Sequence, residues 1–175
     1  MRGLAVDPVQ HLLRRLPDVP GVTKLAVAMG AHDGQSFCMQ LREDAGERYP
    51  DAYSVWLARG TATVGKDKTR HPHLISCLKQ DGISPDEVME EVRVPVWSFT
   101  TLARAFLVGS VDLLKIDCEG ADVDILRGVV KCCDKWPVLF PRIICFETNE
   151  LIPHKCVTEM LQSLVQRGYR ILWRG

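Results

Sequence analysis

The sequence predicts an α/β domain built on a mostly parallel sheet, and three observations carry that expectation. Strand-like and helix-like segments alternate through the second half with short connections, as parallel pairing requires. The runs "VDLLKID" (111–117) and "RIICFE" (142–147) are almost continuously apolar, the pattern of strands covered on both faces. The 175 residues are one domain's length, enough to bury a substantial core. Residues 1–20 supply an N-terminal helix and lead-in, and 21–175 the core.

Taken in order, "PVQHLLRRL" (8–16) sets Val9, Leu12, Leu13 and Leu16 at helical spacing before Pro17 and Pro20 close it. "VTKLAVAM" (22–29) predicts a strand, and "GAHDG" (30–34) a turn that opens a helix over about 35–44. "AYSVWLA" (52–58) predicts the next strand, with Gly60 turning it into "TATV" (61–64) as hairpin partner. "GKDKTRHPH" (65–73) predicts a solvated loop, and "LISCLKQ" a turn or two of helix. "SPDEVMEE" (84–91) opens a helix with Ser84 as cap and Pro85 at its first position.

"VRVPVW" (92–97) predicts a strand that Pro95 assigns to a sheet edge or a strand end. "FTTLARAFL" (99–107) has helical spacing. Strand 111–117, a helix over about 121–133, strand 142–147, a helix over about 154–167 ended by Gly168, and a last strand "YRILW" (169–173) complete the pattern.

Charge and cysteines narrow the function classes. Lys and Arg total 22, matching 22 Asp and Glu, so no charge excess points to nucleic acid or a membrane surface. No apolar run approaches the roughly 20 residues that cross a bilayer. Asp7, Gln10, Arg14 and Arg15 interrupt the first apolar segment, leaving no secretory core and implying a cytoplasmic protein. The seven cysteines lack C-x-x-C spacing, and their odd number argues against a disulfide framework. His71-Pro72-His73 has no nearby third ligand, so no metal is expected.

Three strand ends carry the polar chemistry. In open α/β sheets, ligands bind beyond the carboxyl ends of strands. "VAMGAHDG", "LLKIDCEG" and "IICFETNE" each end a strand on a polar or glycine-rich turn. As neighbours, they would line one rim with His32, Asp33, Asp117, Glu119 and Glu147. Each feature also has a plainer role. Gly30 and Gly34 suit a turn, Lys115 and Asp117 suit an ion pair, and Asp122 and Asp124 complement a helix dipole.

Residues 94–128, "VPVWSFTTLARAFLVGSVDLLKIDCEGADVDILRG", resemble the signature of FkbM-type methyltransferases. "IICFETNE" resembles that family's next strand, "LVQRGYRIL" its closing helix and strand, and "VAMGAHDGQS" its glycine-rich cofactor loop. The resemblance implies a Rossmann-like class I methyltransferase fold and S-adenosylmethionine as cofactor. It implies O-methylation of a hydroxyl on a small molecule or sugar, without nucleic-acid or membrane partners. Carried over by position, Gly30, Ala31, His32, Asp33, Gly34 and Asp117 would bind the cofactor. Glu119, Asp117 and Glu147 would stand at the transferred methyl and its acceptor, Glu119 first. The chain departs from the pattern at Ala28, usually acidic, at His32, usually Asn, and over residues 40–60, where the family's acidic-ended second strand and its helix are missing or shortened, so that the resemblance implies an abbreviated sheet. Two functions therefore stand: an O-methyltransferase, or a methyltransferase-like module that has lost its cofactor. A nucleotide-binding alternative lacks G-x-G-x-x-G.

Overall fold

The computed structural model describes residues 2–57, 62–64, 72–118, 120–148 and 151–172. It is an α/β structure with parallel-containing sheets, divided into two compact units: Met1–Met29 with Gly34–Val96, and Gly30–Asp33 with Trp97–Gly175. Among the described residues, no helix is long and apolar enough to cross a membrane.

In the first unit, β1 (Gly3–Val6) pairs in parallel with β2 (Val22–Leu25), and α1 (Gln10–Arg15) connects them. Asp7 starts that helix by accepting the Val9 N–H at 2.7 Å. The strand β1 is absent from the sequence expectation, because four residues are too few to display a period. Next come β3 (Ala28–Gly30), β4 (Gly34–Leu41), α2 (Ala45–Arg48), α3 (Pro50–Leu57), β5 (Ala62–Val64), α4 (Pro72–Gln80), α5 (Pro85–Val88) and β6 (Met89–Ser98). Their strands lie in the order β3-β6-β4-β5, with β4 antiparallel to both β5 and β6.

Several expectations are corrected here. The helix expected over 35–44 is β4. Its Phe37, Met39 and Leu41 recur every second residue, a strand period. Both faces of β4 are covered: Cys38 packs with Val9, Ala28 and Val94, while Leu41 and Met39 pack with Trp56, Leu74 and Leu78. The strand expected over 52–58 is α3. Tyr49, Ala52, Tyr53 and Trp56 follow helical spacing into that second cluster, and Pro50 occupies the first helical position. Trp56 is fully buried and donates its indole N–H to Asp81 at 3.0 Å. Within the expected strand "TATV", Ala62–Val64 therefore pairs with β4, not with 52–58. The helix from Ser84 stops at Val88, where β6 begins. Strand β6 lies inside its sheet and not at an edge; Pro95 stands opposite Gln35, one residue from the end of the β4 ladder, where a missing N–H costs least. The expectation of a mostly parallel sheet holds for the two-stranded sheets and fails for this four-stranded one. The loop 65–71, His71 and the turn at Gly60 lie outside the described residues.

The second unit contains α6 (Phe99–Ala105), β7 (Leu113–Ile116), α7 (Asp122–Lys135), a 3-10 turn (Pro137–Leu139), β8 (Ile143–Phe146) and α8 (His154–Gln166). Ser98 caps α6 by accepting the Thr101 N–H at 3.3 Å. Helix α7 is the hub, touching α6, α8 and β7. It buries Val123, Ile125, Leu126, Val129, Val130 and Cys133. Gly168, at φ +91°, ends α8, and Tyr169 returns its N–H to Leu164. The final strand expected at 169–173 does not form over 169–172. The Tyr169 hydroxyl is held by the Pro141 carbonyl, and Leu172 is 92% exposed with no strand beside it.

His11 is the buried group that couples this fold to pH. Its Nε2 has no hydrogen-bond partner among the described residues. Burial pushes its pKa below the ordinary histidine value, with Arg15 adding and Glu43, Glu90 and Asp7 opposing. A depressed histidine stabilises fully above its unfolded pKa of about 6.5 and loses that contribution as pH falls through its folded value. Asp7, pushed up by burial, acts with the opposite sign lower in pH, around the ordinary carboxylate range. The melting temperature is therefore expected to fall between pH 7 and 5, and His11→Leu to flatten part of that slope; equal slopes would exclude His11. No disulfide joins the seven cysteines. Burial pushes the thiols of Cys38 and Cys133 up to about 12, whereas Cys145 is exposed on β8. Labelling the native protein at pH 8 should modify Cys145 and spare Cys38 and Cys133, as mass mapping would report.

Candidate functional site

Strands β7 and β8 pair in parallel from Leu113 opposite Ile143 to Ile116 opposite Phe146. Period-two alternation puts Leu113, Lys115, Ile143 and Cys145 on one face, and all four are exposed. Leu114, Ile116, Ile144 and Phe146 occupy the other face, and α7 packs against β7. The expectation of strands covered on both faces is corrected: Leu113 and Ile143 are 59% and 58% exposed.

Past the strand ends, the chain is held by one carboxylate. Asp122, the first residue of α7, is fully buried. Its Oδ2 accepts the Cys118 N–H and its Oδ1 the Glu147 N–H, each at 3.3 Å. The helix dipole favours a negative charge at this position. Gly120 makes the intervening turn at φ +97°; a Cβ there would lie 2.9 Å from the Leu151 Cβ, so a side chain is excluded by both conformation and space.

Asp117 and Glu147 are exposed just beyond these strands. Lys115 donates to Asp117 at 2.9 Å, the ion pair that strand alternation suggested. That bond and the carboxylate's charge hold the Lys115 pKa above its ordinary value. Both side chains are more than half exposed, so the pair adds little to stability. Glu119 and Asn149 lie outside the described residues.

The glycine-rich segment is built differently from its expectation. Gly30 ends β3 and Gly34 begins β4, so Ala31, His32 and Asp33 form a turn between strands and not the entry to a helix. Asp33 accepts the Ser98 N–H and the Thr101 hydroxyl, both at 2.6 Å. These bonds, the backbone one foremost, hold its carboxyl below the usual carboxylate range. The turn lies against α7 at Gly128, where a Cβ would come within 3.3 Å of the Ala31 Cα. It lines a cavity of about 230 Å³ together with Arg104, Lys131 and Trp136. Neither Asp117 nor Glu147 lines that cavity. Asp122 thus brings the 117–118 and 147 segments together, while 31–33 lies about 9 Å further along α7, by helical rise over six residues.

Sequence reasoning treated Asp122 as a dipole partner only and missed that it joins two strand ends. The signal available was an Asp at the first helical position directly after a glycine turn. Likewise, Ser98-x-x-Thr101 is a cap pattern, but nothing local shows that Asp33 shares it.

An α/β chain with two parallel strands ending in carboxylates at a helix N-terminus is consistent with a methyltransferase-like α/β fold. The family model for the methyltransferase FkbM domain matches residues 2–171, nearly the whole chain, which therefore belongs to that family. No curated protein and no solved structure matches it. The family implies S-adenosylmethionine-dependent methylation in general, and the rim suits that group's chemistry. Asp117 and Glu147 are exposed residues that bring two carboxylates to the strand ends, and a carboxylate complements a sulfonium, an ammonium and ribose hydroxyls.

The rim's integrity can be tested at Asp122. Asp122→Ala, which orphans two backbone donors, is expected to cost about 1–3 kcal/mol, and Asp122→Asn, which keeps one acceptor, less. Urea denaturation checks both. Full stability in the alanine variant would remove Asp122 as the clamp.

Proposed function

We propose that this chain is an S-adenosylmethionine-dependent methyltransferase acting on a hydroxyl of a small molecule or sugar. β7 and β8 would be neighbouring strands of its class I sheet. The observation that carries the reading is the Asp122 clamp, which sets two parallel strand ends side by side with Asp117 and Glu147 beyond them. When bound, the cofactor supplies an electrophilic methyl group on a sulfonium. Asp117 would hold it at the sulfonium, and the backbone of Gly30 and Gly34, neither of which lines the cavity beside residues 31–33, would approach its methionine end. Glu119 would accept the proton of the acceptor hydroxyl, and Glu147 would orient that hydroxyl.

A second reading is favoured by a separate observation. The glycine segment leads into β4, and residues 42–57 contain helices α2 and α3 but no acidic-ended strand. That arrangement suits a methyltransferase-like module without cofactor, serving interaction or regulation. A thermal-shift titration with S-adenosylmethionine and S-adenosylhomocysteine separates the two. The enzyme reading expects stabilisation that grows with ligand excess, about 2.7 kcal/mol at a hundredfold excess over the dissociation constant. An unchanged melting temperature at millimolar cofactor would favour the module. If binding is seen, Glu119→Gln should retain it and slow transfer roughly 10²-fold or more; unaltered turnover would take Glu119 out of the reaction.

A further inference from the structure

We propose that the cavity beside residues 31–33 binds a phosphoryl group. Arg104 of α6 and Lys131 and Lys135 of α7 line it, with Trp136 at the end of that helix. Lys131 and Lys135 are one turn apart and so share a face. The Arg104 guanidinium stacks over the Trp136 ring at 5.3 Å from its centroid, which fixes the direction of its N–H fork.

These three cations have no carboxylate partner among the described residues, because the nearby acids are already engaged. Asp134 is bound by Arg167 through two bonds of 3.1 and 2.9 Å. Asp124 pairs with Arg127 at 2.7 Å. Asp33, the one acid in the lining, is held by Ser98 and Thr101. Arg104, Lys131 and Lys135 against Asp33 therefore give the lining a net of two positive charges. A phosphate ester carries about −1.5 to −2 at neutral pH, which matches. The Thr100 hydroxyl adds a neutral donor at the same wall.

Charge and size favour a small anion. A sulfonium would face an excess of like charge here. The volume of about 230 Å³ is below the roughly 300–1,000 Å³ of sites for drug-sized ligands, so it suits one phosphoryl group with a small carrier.

Isothermal titration calorimetry at low ionic strength tests this, with inorganic phosphate, glucose 6-phosphate and glucose as titrants and chloride as the background anion. Saturable binding of the two phosphates and none of glucose is expected. Tighter binding of glucose 6-phosphate would identify an ester as the ligand; equal or weaker binding would identify the free oxyanion. The double variant Lys131→Gln/Lys135→Gln and the variant Arg104→Gln should each weaken binding roughly tenfold or more. The side chains are exposed, and unchanged melting temperatures would verify the folds. No saturable binding at millimolar phosphate, or wild-type affinity in both variants, overturns the proposal. So does competition by saturating S-adenosylhomocysteine, which would assign the cavity to the cofactor; simultaneous binding supports a separate site. The phosphate titration needs no cofactor, so its failure is distinct from failure of the methyltransferase reading.

Discussion

The buried carboxylate of Asp122 holds two backbone N–H groups that lie far apart in sequence, one after each strand of the parallel pair. A parallel pair has no tight turn to align its ends. Something beyond the ladder must set where the two chains go next, and here a helix N-terminus does so. The charge is tolerated without solvent because the helix dipole and two donors compensate it. Gly120 is tied to the same geometry: only a positive φ brings the chain from β7 to α7 in so few residues, beneath Leu151. The position of Asp117 and Glu147 follows from this one arrangement.

Helix α7 then separates two kinds of electrostatics. Its first turn is acidic and faces strand ends that carry further carboxylates. Its last turns carry Lys131 and Lys135 beside Arg104, around a cavity with one engaged acid. Both arrangements agree with the helix dipole, which lowers the cost of each. The result is a carboxylate-bearing end and a lysine-bearing end on one helix within a single unit.

The first unit is organised by strand β4, sandwiched between two apolar clusters. Cys38 contributes to one cluster, while Met39 and Leu41 contribute to the other. Such a strand needs both clusters at once, and the second depends on Trp56 and Tyr53 arriving on a helix. Burial raises the Cys38 thiol, and buried His11 has no partner for its Nε2 among the described residues. Close packing in this unit therefore comes with a proton-linked weakness.

The elements of the second half were legible because their signals are local: α7 and α8 show helical spacing over more than ten residues, and Gly168 marks a stop that needs no distant partner. The FkbM resemblance was legible for the same reason, resting on one contiguous run from Val94 to Gly128. Segments 35–44 and 52–58 were not, since each is short and apolar enough to suit either state. Their choice came from clusters whose members are dozens of residues away, Leu74 and Leu78 packing with Leu41 and Trp56. The site divides along the same line. Residue types at the rim could be read directly, but the Asp122 bond from Glu147 spans 25 residues and the Asp33 bonds 65 or more, and no local pattern encodes them. A linear code specifies what a segment can become; which neighbour reaches it is set only when the chain closes on itself.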